Sequence, residues 1–163
     1  TMAVTTQNST EYTNATASPV VTLNPTTDYA GRVRIMHFTH NQDGAGDATS
    51  SVALGTLPAG KVKVLLASSN AYVNWTTASA TLDLGWDAYT DGDGNSVAAD
   101  ADGLLNGLNV DTAGQFSLGS GQAATGGTYT FNSKSGVTIR ATSQDTAIAD
   151  GDDLVGYILY VVD

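Results

Sequence analysis

The sequence predicts an all-β protein: a two-sheet antiparallel sandwich of jelly-roll type, with about eight strands and one short helix. Three observations carry this. First, the chain holds 23 Thr and 18 Gly, and 15 of its 16 acidic residues are Asp, the exception being Glu11. Thr suits strands, whereas Gly and Asp favour turns and caps over helix interiors. Second, short β-type runs recur along the chain, separated by Asp/Gly-rich turns. Third, Thr81 to Tyr89 alternates with a period of two, with Leu82, Leu84, Trp86 and Ala88 on one face and Thr81, Asp83, Gly85 and Asp87 on the other. Such alternation predicts a strand with one side in a core and one in water.

The elements follow in order. Residues 1–18 are polar, rich in Thr, Asn and Ser, and lack apolar periodicity. They read as an extended arm that either frays or orders on a neighbouring subunit. Residues 19–163 form the sandwich domain. Pro19 to Leu23 is a short β run and Arg32 to Thr39 a longer one. Asn41 to Asp47 makes a loop, Ser51 to Gly55 a weak strand, and Leu57 to Gly60 a turn. Lys61 to Ala67 and Ala71 to Trp75 follow as strands. Gly103 to Val110 is the predicted helix, with Leu104, Leu105 and Leu108 as an apolar stripe and Asp102 as N-cap. Thr128 to Phe131, Val137 to Ala141 and Leu154 to Val162 complete the strands.

The last strand is apolar on both faces, with Leu154, Ile158, Tyr160 and Val162 against Val155, Tyr157, Leu159 and Val161. A second layer or a partner subunit is expected to cover its outer face. Eight strands in two sheets fit a jelly roll. An immunoglobulin-like sandwich would bring a Cys–Trp–Cys core that is absent here. No internal repeat of fixed period points to a propeller or solenoid.

Composition narrows the function. Of 163 residues, 6 are Lys or Arg and 16 Asp or Glu, a formal charge of −10. Phosphate neutralisation needs clustered cations, so neither nucleic acid nor an anionic membrane is expected as a partner. Cysteine is absent, which excludes disulfides, thiol catalysis and Cys-ligated metals. No apolar run approaches the ~20 residues of a membrane helix. Met2 to Thr6 reads as a natural start with Thr1 a remnant, and no leader segment is expected. The sequons at Asn8, Asn14 and Asn74 carry no weight in a Thr- and Asn-rich chain that is not secreted.

Candidate chemistry is sparse. His37 and His40 stand three apart on a strand, so they face opposite sides and cannot share a metal. His37 reads as a packed or interface residue and His40 as a loop residue. No Gly-x-Ser-x-Gly elbow occurs, and Gly119-Ser120-Gly121 reads as a flexible loop. Paired Asp residues cut glycosidic bonds in many enzymes, yet here the Asp residues lie in turns with few aromatics near them, and no enzyme is expected. Asp91, Asp93, Asn95 and Asp102 occupy positions 1, 3, 5 and 12 of a calcium-loop template. Ser96 stands where that template requires Gly, and a strand precedes it, so an EF-hand is rejected. A calcium loop of another kind remains open at these four residues, and no other cofactor is expected. Arg32 with Arg34, and Lys61 with Lys63, each share a strand face. On neighbouring strands they would form one basic strip able to dock an acidic partner; otherwise they pair with nearby Asp.

Several phrases together resemble a family of small tailed-bacteriophage structural proteins. They are Ala30 to Ile35, Leu57 to Leu65, Leu82 to Asp91, Val97 to Asp100 with Gly103-Leu104, and Gly156 to Tyr160. The likeness spans residues 30–162 and leaves the arm least matched. It implies a capsid decoration (cement) protein or a related head component. The implied fold is a jelly-roll sandwich, assembled as a trimer on the capsid surface, with the major capsid protein as partner and no catalytic residues. The implied location is the virion, after synthesis in the bacterial host cytoplasm. The alternative is a head or tail fibre subunit, a carbohydrate- or receptor-binding module in which Trp75, Trp86 and Tyr side chains stack on sugars.

Overall fold

The computed structural model describes residues 8–19, 22–28, 30–75, 77–119 and 126–163. Among the described residues, twelve strands form in chain order. They are β1 (Val33–Asn41), β2 (Ser51–Leu57), β3 (Gly60–Leu65), β4 (Asn70–Val73), β5 (Thr81–Trp86) and β6 (Tyr89–Thr90). Then come β7 (Ser96–Val97), β8 (Asp100–Asn109), β9 (Gly114–Ser117), β10 (Thr128–Ser133), β11 (Val137–Ser143) and β12 (Asp153–Val162). A single turn of 3₁₀ helix, Leu66–Ser68, separates β3 from β4.

Two of these strand pairs are interrupted single strands. β3 and β4 both lie antiparallel along one edge of β12, at Tyr160–Val162 and at Leu154–Tyr157 respectively. β10 and β9 extend the sheet beyond them in the same way. Counted so, the main sheets hold eight strands. The first sheet runs β1, β12, β3/β4, β9/β10 and the second runs β2, β11, β5, β8. In chain order these are strands 1-8-3-6 and 2-7-4-5, the order of two interleaved Greek keys in a jelly roll. β6 and β7 form a separate hairpin.

The core lies between the sheets. Val62, Val64, Val73, Phe131, Leu154 and Ile158 from the first sheet meet Leu57, Leu82, Leu84, Leu105 and Ile139 from the second, all buried. Phe131 of β10 and Trp86 of β5 bridge the layers edge to face, 5.3 Å between ring centroids, a favoured aromatic geometry. Trp86 also donates its ring N–H to the Ala98 carbonyl, so its polar atom is satisfied inside the core.

Several sequence expectations need correction. Gly103–Val110 is not a helix but most of β8. Leu104, Leu105 and Leu108 mimic a helical stripe because β8 is bulged: its register against β5 breaks between Leu82 and Leu84 and again between Leu84 and Trp86, and extra residues in a bulge disturb the period of two. Gly107 sits at φ +65°, a conformation that favours glycine. The short helix is instead α1, Thr10–Thr16, within the stretch read as an extended arm. Ser9 caps it by accepting the Tyr12 N–H. Of the Pro19–Leu23 run, residues 20 and 21 lie outside the described residues, and Thr22 and Leu23 are not in a strand.

The polar face of β5 is also covered at its middle, at Asp83 and Gly85. Asp83 is 4% exposed, and at Gly85 an added Cβ would fall 1.8 Å from the Asp100 carbonyl oxygen. The start of β8 thus folds over that face at the position that lacks a side chain. The basic strip does not form either. β12 lies between β1 and β3. Arg34 pairs across from Tyr160 while Lys63 pairs across from Val161, so the two cations project from opposite faces of the sheet.

Candidate assembly surface

The β1–β12 register sets Val33, Ile35, His37 and Thr39 opposite Val161, Leu159, Tyr157 and Val155. Residues paired across antiparallel strands share a face. Leu154 and Ile158 are buried in the core, so this other set points away from the sandwich. The face continues through Lys63, Asn70 and Tyr72 of β3/β4, which pair with Val161, Tyr157 and Val155. Gln115 and Ser117 of β9 extend it opposite Tyr72 and Asn70. The middle of this face therefore carries no Asp, Glu, Lys or Arg, on a chain of net charge −10. Lys61 and Lys63 stand at one end and Asp153, bonded by Asn41, at the other.

The chain covers one end of this surface itself. The backbone N–H and hydroxyl of Thr26 both bond the Asp163 carboxylate, and Asp28 pairs with Lys63. Lys63 and the Thr26 donors hold these two carboxyls below the usual range. Gly31 packs so closely on Val161 that a Cβ there would meet the Val161 side chain at 2.5 Å. Val161 is accordingly 5% exposed, while Val33 is 54%, Ile35 49%, Tyr72 39% and Val155 38% exposed. Both expected sets on β12 are present: the first packs in the sandwich, and the second is covered only at its Val161 end.

A cleft of about 230 Å³ opens in the uncovered part, lined by His37, Asn70, Tyr72, Gln115, Val155 and Tyr157. The His37 and Tyr157 rings meet edge to face at 5.9 Å, and the Asn70 amide donates to the Tyr157 hydroxyl. The lining offers apolar walls, two amides, an imidazole and two phenols. His37, read as a packed or interface residue, is exposed on this face. His40, read as a loop residue, lies instead within β1, its ring N 3.1 Å from the Gln42 amide oxygen.

The calcium-template residues fall in two places. Asp91 closes the β6–β7 turn: its carboxylate accepts the N–H groups of Asp93 and Asn95 and the Asn95 side-chain amide. These donors lower its pKa, the Asn95 N–H most. Asp102 lies instead on β8, its carboxylate bonded by the Asn106 amide. Among the described residues no group of three or more His, Asp or Glu side chains is placed to hold a metal ion. Asp102 and Asp83 line a second cleft with Ala101, Asn106 and Gln144, which the sequence did not bring together. Burial raises the Asp83 carboxyl, opposed by the Gly107 N–H it accepts at 2.6 Å. No aromatic ring lines this cleft, so a sugar would find no stacking surface there.

Two of the six cations pair with Asp. Besides Lys63 and Asp28, Arg140 forks onto Asp87, with Nε to Oδ1 at 2.6 Å and Nη2 to Oδ2 at 2.8 Å. The guanidinium lowers the Asp87 pKa and is itself raised. Trp75 and Trp86 are 2% and 7% exposed, so neither is free to stack on a sugar.

No family model and no curated protein sequence matches the chain. A solved viral structure shares its fold. A chain of the cyanophage Pam1 capsid asymmetric unit aligns with a TM-score of 0.51 at 14% identity, over 90% of this chain and 96% of that one. A chain of infectious bursal disease virus, Gt strain, aligns with a TM-score of 0.48 at 10% identity, over 82% of this chain and 33% of that one. The chain therefore spans about a third of the length of the bursal disease virus protein it matches. At these identities the likeness is one of fold.

Proposed function

We propose that the protein is a non-enzymatic structural component of a virus particle: a tailed-phage capsid decoration protein that binds the assembled shell as a trimer. One observation carries this, the uncharged and half-exposed outer face of the first sheet. Monomeric proteins rarely leave a contiguous apolar patch open without a partner. A face without charge is also where copies of net charge −10 meet with least repulsion.

The fold supports the same reading. Its likeness to the cyanophage capsid chain runs over 90% of this chain and 96% of that one. Many weak contacts spread over three copies would give avidity for a repeating shell without one strong site. Residues 1–18 act in this reading as an arm and 19–163 as the packing domain. The carbohydrate-binding alternative loses its tryptophan platform to the core.

The test is co-sedimentation of the full chain with empty phage shells that lack it. The expected result is saturable pelleting with the shells and greater shell resistance to heat. Absence of pelleting, together with binding on a glycan array, would favour the fibre-type alternative.

A further inference from the structure

We propose that the outer face of the first sheet is covered by the N-terminal arm of a second copy of this chain, with Tyr12 of that copy seated in the cleft between Tyr72 and Tyr157. This names the occupant of the surface and rests on the assembly reading above.

The exposed large apolar side chains among the described residues fall into two groups. Val33, Ile35, Tyr72 and Val155 lie on the sheet face, whereas Tyr12 lies on the arm and Leu23 in the segment that follows it. The first group borders a cleft at Tyr72 and Val155, and Tyr12 of the second is 55% exposed.

Charge points the same way. Residues 1–27 contain a single charged side chain, Glu11, and the middle of the face contains none. Joining them buries almost no charge, which is the costly step in desolvating an interface.

The helix α1 gives a separate reason. It has seven residues, and none of those whose burial is described is buried. Isolated helices below ~12–15 residues are marginal in water. Within its own chain α1 is held by the Ser9 cap and by the Asn14 amide bonding Asn24. Packing of Tyr12 on a neighbour would add apolar burial to these polar contacts.

Among the described residues the chain's own arm does not fill the role. Thr26, Asp28 and Gly31 cover only the Val161 end of the face, and Val33 and Ile35 remain about half exposed. An arm reaching from one copy to the next is a heterologous contact, and such contacts close into rings when the rotation allows. The cleft also suits tyrosine chemically. Its walls are Tyr72, Val155 and Tyr157, while His37, Asn70 and Gln115 offer partners for a hydroxyl.

The test exploits the absence of cysteine. Full-length proteins carrying Tyr12→Cys alone and Gln115→Cys alone, one bearing a mass tag, are mixed and oxidised. The expected product is a disulfide-linked heterodimer, formed in several-fold higher yield than with Thr56→Cys on β2 as the partner. A Tyr12→Asp variant is expected to lose oligomer mass in sedimentation while keeping its Tm, since Tyr12 is 55% exposed. A wild-type oligomer with no selective link, and with Tyr12→Asp still assembled, overturns the arm as occupant and leaves the assembly reading intact. A wild-type chain that stays monomeric overturns both.

Discussion

The hydroxyl of Ser69 accepts the backbone N–H of Leu159 at 2.9 Å while donating to the Leu65 carbonyl at 2.8 Å. This pair mends the first sheet where β3 stops and β4 has not begun. Leu159 falls between the parts of β12 that pair with β4 and with β3, so no strand partner meets its N–H. A completely buried serine takes that place. Ser69→Ala is expected to leave the N–H unsatisfied and cost about 1–3 kcal/mol, read as a lower urea midpoint. A midpoint within error of wild type would show that the ladder does not depend on this hydroxyl.

The Arg140–Asp87 fork offers a second test. Both side chains are about a third exposed, at 33% and 39%, so screening reduces the value of the pair. Arg140→Lys keeps the charge but loses the two parallel bonds. A loss of about 0.5 kcal/mol is expected, shrinking further in high salt. Asp87 has a lowered pKa, so the pair's contribution is present at neutral pH and fades as pH falls below 3.8, the carboxyl's ordinary value, through its lowered native value.

Asp83 behaves in the opposite sense. Its carboxyl is raised above 3.8 by burial, so the native state holds the proton more tightly than the unfolded chain. Its contribution is most favourable below the unfolded value and declines as pH rises through the native one. Asp83→Asn keeps an oxygen to accept the Gly107 N–H. The variant's Tm is therefore expected to gain on wild type between acid and neutral pH. A constant difference across that range would mean that Asp83 does not titrate differently on folding.

The β6–β7 turn separates two uses of one Asp/Gly sequence. The Asp91 carboxylate already accepts N–H groups from Asp93 and Asn95, which is turn chemistry. The expected effect of millimolar Ca²⁺ on Tm is nil, and Asp91→Ala is expected to lower Tm whether or not the ion is present. A rise in wild-type Tm on adding Ca²⁺, abolished in Asp93→Ala, would instead assign Asp91, Asp93 and Asn95 as ligands.

Much of the fold was legible because alternation survives where strands are regular. β12 reads correctly on both faces, since a period of two places Val155, Tyr157, Leu159 and Val161 together whatever lies beside them. β8 did not read correctly. Its bulges break the period, so Leu104 and Leu105 are adjacent yet both buried. Gly103 and Gly107 were the available signal against a helix, since each costs a helix about 1 kcal/mol relative to Ala. The basic strip failed for another reason: strand periodicity gives faces but not neighbours, and β12 comes from the far end of the chain to lie between β1 and β3. The half-open surface was foreseen as a need for cover. Its cleft was not, because it joins β1, β4, β9 and β12, which no local pattern links.

The most direct check on the surface is its effect on mass. Sedimentation equilibrium of the wild-type chain is expected to give three times the 16.7 kDa protomer mass. Val155→Asp places a carboxylate at the centre of the uncharged face, on a side chain already 38% exposed. It is expected to give the protomer mass with little change in Tm. A wild-type chain that remains a protomer at high concentration and does not pellet with shells, or a Val155→Asp variant that assembles unchanged, would contradict an assembly role for this face.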